Sequence, residues 1–133
     1  MQTASYRQLM ALKYTLIFGA VYDIVFAAAM VLIPEFSAGL LNIRLPGESF
    51  YLWLIAVFLC MLAAFYLFAA YDPQAYRGNI QIGIVGRTCG FLVIMYAAYL
   101  DPTMPGLYLL AFGDLSIAIA TLFFWWPIRH QKP

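Results

Sequence analysis

Asp23, Arg87 and Asp114 each lie well inside a long apolar stretch of the chain, where ionisable side chains are rare. An unpaired charge at the centre of a lipid layer costs at least about 2.5–3.5 kcal/mol, so such residues turn inward and pair with one another. At about 1.5 Å per residue, Arg87 lies about 10 Å, Asp23 about 14 Å and Asp114 about 18 Å from the same end of their helices. The sequence therefore predicts a buried cluster in which Arg87 bridges Asp23, Asp114 or both.

Three roles are open to such a cluster. A buried Arg–Asp group can fix the register of helices and do nothing else. It can also line a pocket that binds a polar headgroup, a quinone carbonyl or a small ion, because intramembrane charges often mark functional sites. The third role is acid–base catalysis. The three charged residues are candidates for a ligand-binding site, and no residue is assigned a catalytic role.

Glycines accompany each of these charges at helical spacing. Small residues let helix backbones approach closely, which favours helix–helix contacts in lipid. Five glycines are therefore predicted to pack helices together: Gly19, Gly83, Gly86, Gly90 and Gly113. The second apolar stretch carries no charge and is predicted to serve packing alone.

Four apolar stretches of about 20 residues must position these side chains, at residues 14–33, 50–71, 80–100 and 107–126. A helix of that length spans the roughly 30 Å hydrocarbon core of a bilayer. The composition agrees, since 65% of the residues are hydrophobic and only 10% are charged, against about a quarter charged in soluble domains. The sequence predicts an all-α integral membrane protein, an antiparallel four-helix bundle in a single domain of residues 1–133.

The connections between the stretches carry their own signals. Residues 2–13 are expected to form a short separate helix at the membrane surface, and residues 35–49 a second surface segment. Asp72 and Asp101 each precede a proline, as an N-cap with proline at the first helical position does. Turn formation is therefore the expected role of both aspartates.

The distribution of basic residues predicts the orientation in the membrane. Five Lys or Arg fall on the side of the two termini and the second loop, and only Arg44 falls on the other side. Basic residues concentrate in cytoplasmic segments, so both termini are predicted to be cytoplasmic. Tyrosine and tryptophan side chains near the ends of the stretches fit an interfacial aromatic belt.

Several classes of function are disfavoured. A net charge of +1 is too small for binding nucleic acid. No group of His, Cys and Glu has metal-ligand spacing, and the only histidine, His130, lies in the C-terminal tail. Cys60 and Cys89 lie in apolar runs and are predicted to be packing residues. No metal or cofactor is predicted, although a quinone or a lipid remains open as a ligand.

Short motifs resemble a family of small bacterial four-span membrane proteins called DoxX-like. They are Ala69-Ala70-Tyr71-Asp72-Pro73 followed by Arg77, Gly86-Arg87-x-x-Gly90, Gly113-Asp114-Leu115, and Leu32-Ile33-Pro34 followed by Leu45-Pro46. Some proteins of this family are subunits of quinone-linked membrane oxidoreductases. The resemblance implies a multi-pass protein of the bacterial inner membrane with an accessory or ligand-binding role, and it transfers no catalytic residue.

Three functional hypotheses follow. The first is a non-enzymatic membrane protein that binds a lipid or quinone or serves as a subunit of a membrane complex, with other subunits or a second copy as partner. The second is a small proton-coupled transporter that uses an intramembrane aspartate. The third is a membrane enzyme with an aspartate as acid or base, which is disfavoured because Arg87 beside the aspartates favours their ionised form.

Overall fold

The computed structural model describes the backbone of residues 2–129 and the side chains of residues 6–129, so that His130 and Lys132 lie outside the described residues. In the described part the protein is all-α, with five helices and no strand. The helices are α1 (Gln2–Leu32), α2 (Pro34–Leu41), α3 (Ser49–Tyr71), α4 (Arg77–Leu100) and α5 (Gly106–Trp125).

Four of these helices are long and apolar enough to cross a membrane, judged by length and composition: Tyr6–Leu32 within α1, and the whole of α3, α4 and α5. They correspond to the four apolar stretches of the sequence. The separate surface helix expected at residues 2–13 is not present, because the same helix continues without a break from Gln2 to Leu32. Nothing in residues 2–13 breaks a helix, since that stretch has neither proline nor glycine.

The four long helices form a ring in which α1 packs against α3 and α5, and α4 packs against α3 and α5. Contacts between helix ends give their directions. Lys13, in the first half of α1, donates a hydrogen bond from Nζ to the backbone oxygen of Tyr71 at the end of α3 (3.1 Å). Asn79 at the start of α4 donates from Nδ2 to the oxygen of Phe65 near the end of α3 (3.4 Å). Neighbouring helices are therefore antiparallel.

We call the end of the bundle where α1 begins and α5 ends the termini end, and the opposite end the loop end. The largest apolar core lies at the termini end, where Leu12, Leu16, Tyr66, Ile80 and Trp125 are buried together. The buried residues nearer the loop end are mostly alanines, namely Ala27, Ala38, Ala56, Ala98 and Ala111. Small side chains there bring the helices close together and leave the larger side chains outside.

The loop end is organised by α2 and the segment after it. Pro34 begins α2, as proline at a first helical position does. Asn42 ends it in the left-handed conformation (φ 49°), and the backbone N–H groups of Asn42 and Ile43 donate to the backbone oxygens of Gly39 and Ala38. A side chain at Gly106 would collide with the backbone oxygen of Leu41. Glycine at this position therefore allows α5 to begin directly against the end of α2.

Asp72 and Asp101 form turns, as the sequence predicts, but neither is the N-cap of the next helix, because Tyr76 precedes α4 and Pro105 precedes α5. Asp72 Oδ1 accepts hydrogen bonds from the backbone N–H groups of Gln74 and Ala75, both at 3.0 Å, within the turn that precedes α4. Asp101 Oδ1 accepts from the N–H of Thr103 at 3.1 Å, and Asp101 Oδ2 pairs with Arg44 at 3.2 Å. The hydroxyl and N–H of Thr103 lower the pKa of Asp101, so its carboxylate stays charged opposite Arg44.

Candidate functional site

Arg87 lies in the middle of α4 with its side chain almost completely buried, at 1% exposure. Gly83 and Gly90 lie one turn before and one turn after it on the same face of α4. Without side chains at these two positions, the neighbouring helices can approach the guanidinium from both sides. We call Asp23, Tyr66, Arg87 and Asp114 the Arg87 cluster, and each of the four long helices contributes one of its members.

Asp23 on α1 holds one side of the guanidinium. Arg87 Nη2 donates to both oxygens of Asp23 at 2.8 Å and to the backbone oxygen of Gly19 at 3.2 Å. Asp23 has no exposed surface. Both of its carboxylate oxygens are therefore bonded to the same cation, in a pocket that solvent does not reach.

Asp114 on α5 bonds to the other side of the guanidinium through one oxygen only. Arg87 Nη1 donates to Asp114 Oδ1 in a short ion pair. The second oxygen, Oδ2, has no hydrogen bond to any residue that the structure describes. The side chain of Asp114 is 20% exposed, whereas that of Asp23 is fully buried. The two aspartates thus share one arginine but differ in bonding and in access.

Tyr66 on α3 completes the cluster, and the sequence analysis missed it. Arg87 Nε donates to Tyr66 Oη at 2.8 Å, and Tyr66 is fully buried. The prediction that the second apolar stretch, residues 50–71, serves packing alone is therefore wrong. Its only tyrosine far from both ends was the available signal, because a phenol in an apolar interior needs a polar partner.

Tyr22, next to Asp23 in sequence, was also missed. Its ring centroid lies 5.6 Å from Arg87 Cζ, within the range of a cation–π contact. A Cβ added at Gly113 would lie 3.1 Å from Tyr22 Oη. The Tyr22 side chain therefore extends from α1 past the guanidinium to the backbone of α5.

Four of the five predicted packing glycines are close to the cluster. An added Cβ at Gly19 would lie 3.1 Å from the Tyr66 ring, and one at Gly83 would collide with that ring. At Gly90 it would lie 2.9 Å from Asp114 Oδ2. Gly86 differs, because a Cβ there would meet no described atom within 4 Å. Its side of α4 faces outward, so Gly86 forms no close helix contact within the described chain.

An apolar groove of about 380 Å³ lies beside the cluster, between α1 and α2. Its walls include Phe18, Val25 and Phe26 from α1, and Phe36 and Leu40 from α2. Tyr22 also lines this groove, whereas Asp23, Arg87 and Asp114 do not. This groove is therefore not the predicted pocket lined by the three charges, and it adjoins the cluster only through Tyr22.

Within the described residues, no group of three or more His, Cys, Asp and Glu side chains could hold a metal ion. Comparison with known proteins found no matching family model, no similar curated protein and no similar solved structure. What the site does must therefore be argued from its own geometry.

Proposed function

We propose that this chain is a non-enzymatic, multi-pass protein of the bacterial inner membrane that binds a lipid or quinone beside the Arg87 cluster. It crosses the membrane four times, with both termini in the cytoplasm. The ligand's apolar tail lies in the groove between α1 and α2, and its polar head lies near Tyr22.

The placement of apolar and charged side chains supports insertion in a membrane. No more than 33% of the residues in the most apolar part of each long helix are buried. Large side chains such as Phe18, Val93 and Phe123 are more than 60% exposed, while Arg87 and Asp23 are inside. In water such a surface would aggregate, but in lipid it meets an apolar solvent.

The ends of the bundle support the orientation. Arg7, Lys13, Arg77 and Arg129 lie at the termini end, and Arg44 lies at the loop end. An excess of basic residues is retained in the cytoplasm, so the termini end is the cytoplasmic one.

The observation that carries the ligand proposal is the double role of Tyr22. One face of its ring approaches Arg87, and the same side chain forms part of the groove wall. Membrane ligand sites combine a largely apolar cavity with a few polar groups that fix the head of the ligand. In this groove, the polar group proposed to fix the head of the ligand is the hydroxyl of Tyr22.

The resemblance to DoxX-like proteins agrees with this proposal and extends it to a partner. On that basis the protein serves as an accessory subunit in a membrane redox complex, or assembles with further copies of itself. The exposed outer face of α4, which includes Gly86, offers a surface on which another helix could pack.

Mass spectrometry of the protein purified in mild detergent tests the ligand proposal. The wild-type protein should retain a lipid or quinone. Val25→Trp should lower the occupancy about tenfold or more, which corresponds to about 1.4 kcal/mol of binding energy, because the indole fills the groove. Val93→Trp is the matched control, since Val93 is exposed on α4 and outside the groove. Equal ligand occupancy in both variants would contradict the groove as the binding site.

A further inference from the structure

The Arg87 cluster has an odd number of charged groups. Two carboxylates face one guanidinium, and the two phenols beside them, Tyr22 and Tyr66, are neutral at pH 7. With both aspartates ionised, the cluster carries one uncompensated negative charge. An uncompensated charge in the interior of a protein is strongly unfavourable, so the cluster needs one more positive charge.

The hydrogen bonds of the two aspartates show which of them can take up a proton. Both oxygens of Asp23 accept hydrogen bonds from Arg87, so a proton on Asp23 would displace a bond from the cation. Asp114 bonds to Arg87 through Oδ1 only, and its Oδ2 has no hydrogen bond to the described residues. Asp114 is also the more exposed of the two. A proton on Asp114 Oδ2 therefore breaks no bond and makes the cluster neutral.

We propose that Asp114 is a proton-binding site, at which Oδ2 takes up one proton while Oδ1 keeps its bond to Arg87. Uptake converts the carboxylate and a proton from water into a carboxylic acid, with no other bond made or broken. The site does not depend on whether the groove holds a lipid or quinone, since the charge count involves the protein alone.

The charged and titratable groups around Asp114 come from the other three long helices. Arg87 on α4 supplies the positive charge, and Asp23 on α1 neutralises that charge in turn. Tyr22 on α1 and Tyr66 on α3 contribute hydroxyl groups without charge at pH 7. Among the described residues, Asp114 thus shares its counter-ion Arg87 with Asp23, and a proton neutralises the negative charge that is left over.

Infrared spectroscopy of the full-length protein in ether-linked lipid tests the proposal, because these lipids have no ester carbonyl to mask a carboxylic acid. At pH 7 the wild-type spectrum should contain the C=O stretch of one carboxylic acid per chain. Asp114→Glu should shift this band, and Asp23→Glu should leave it in place. Asp23→Asn should abolish the band, because the remaining pair is already neutral. Arg87→Gln should double the band.

Circular dichroism of each variant shows whether it keeps the helical content of the wild type. Absence of a carboxylic acid band in the wild-type protein would overturn the proposal, even if another cation neutralises the cluster. A band that shifts in Asp23→Glu and not in Asp114→Glu would overturn it as well. Neither result bears on the groove, which the Val25→Trp comparison tests separately.

Discussion

At the scale of single residues, one guanidinium organises the interior of the bundle. Its N–H groups bond to two carboxylates, a phenol and a backbone oxygen from three other helices. With both aspartates ionised, two negative charges share this one cation, and Asp114 Oδ2 accepts no hydrogen bond from the described residues. Asp114 Oδ2 is therefore the atom at which the proposed proton binds.

The bonding of Arg87 makes its replacement costly. Arg87→Leu should lower the free energy of unfolding by about 3–5 kcal/mol, because it leaves buried carboxyl groups without a cation. Arg87→Lys should cost less, since an ammonium retains the charge although it cannot reach all the partners. Thermal unfolding in detergent measures the loss of stability in both variants. Combining Arg87→Gln with Asp114→Asn should recover part of the loss, and equal stability of the Leu and Lys variants would contradict the buried ion pairs.

The charged members of the cluster were predictable from the sequence, because the burial of a charge without a partner is so unfavourable that a charge inside an apolar helix is conspicuous. Tyrosines are common in membrane helices and usually lie near their ends, so the position of Tyr66 away from an end was only a weak signal. The packing of α1 and α3 around Arg87 places the Tyr66 hydroxyl and the neighbouring Tyr22 ring against the guanidinium.

At the scale of helices, the glycines decide how closely the long helices approach. Tyr66 fills the space left by the missing side chain of Gly83, and its hydroxyl is held by Arg87. The Tyr66 ring therefore cannot move away from a larger residue at position 83 without losing its hydrogen bond to Arg87. The position of α3 against α4 depends on the absence of a side chain at Gly83.

Two glycine substitutions on α4 separate packing from helix propensity. Gly83→Ala should lower the free energy of unfolding by about 1–3 kcal/mol, because the new methyl group overlaps the Tyr66 ring. Gly86→Ala should leave stability unchanged or slightly higher, since its methyl group meets no described atom within 4 Å. Thermal unfolding of the two variants side by side gives the comparison. A destabilised Gly86→Ala with a stable Gly83→Ala would reverse the assignment of the faces of α4.

The boundaries of the helices follow from the sequence where proline is present and not elsewhere. Pro34, Pro73 and Pro102 lie directly at or just after helix ends, as expected from the missing N–H of proline. The first helix has no such residue near position 13, and it extends to Gln2. The contact of Gly106 with Leu41 depends on the path of the α2 segment, which hydrophobic patterns do not determine.

At the scale of the whole molecule, polarity is arranged in the reverse of a soluble protein. The outer faces of the four long helices carry large apolar side chains, and the interior holds Asp23 and Arg87. Apart from Asp114, which also belongs to the cluster, the other charges of the described chain lie toward the two ends, with Arg44 paired to Asp101 at the loop end. Such an arrangement is stable when lipid surrounds the helices and water covers only the ends.

Labelling of single cysteines with a membrane-impermeant thiol reagent tests four membrane crossings and their direction most directly. The background carries Cys60→Ala and Cys89→Ala. Gly47→Cys lies in the loop before α3, where a side chain meets no described atom within 4 Å, and Ala75→Cys is exposed in the turn before α4. In spheroplasts, a bundle with cytoplasmic termini should show labelling of Gly47→Cys at once and of Ala75→Cys only after the membrane is permeabilised. Labelling of both from the outside, or of Ala75→Cys alone, would contradict it.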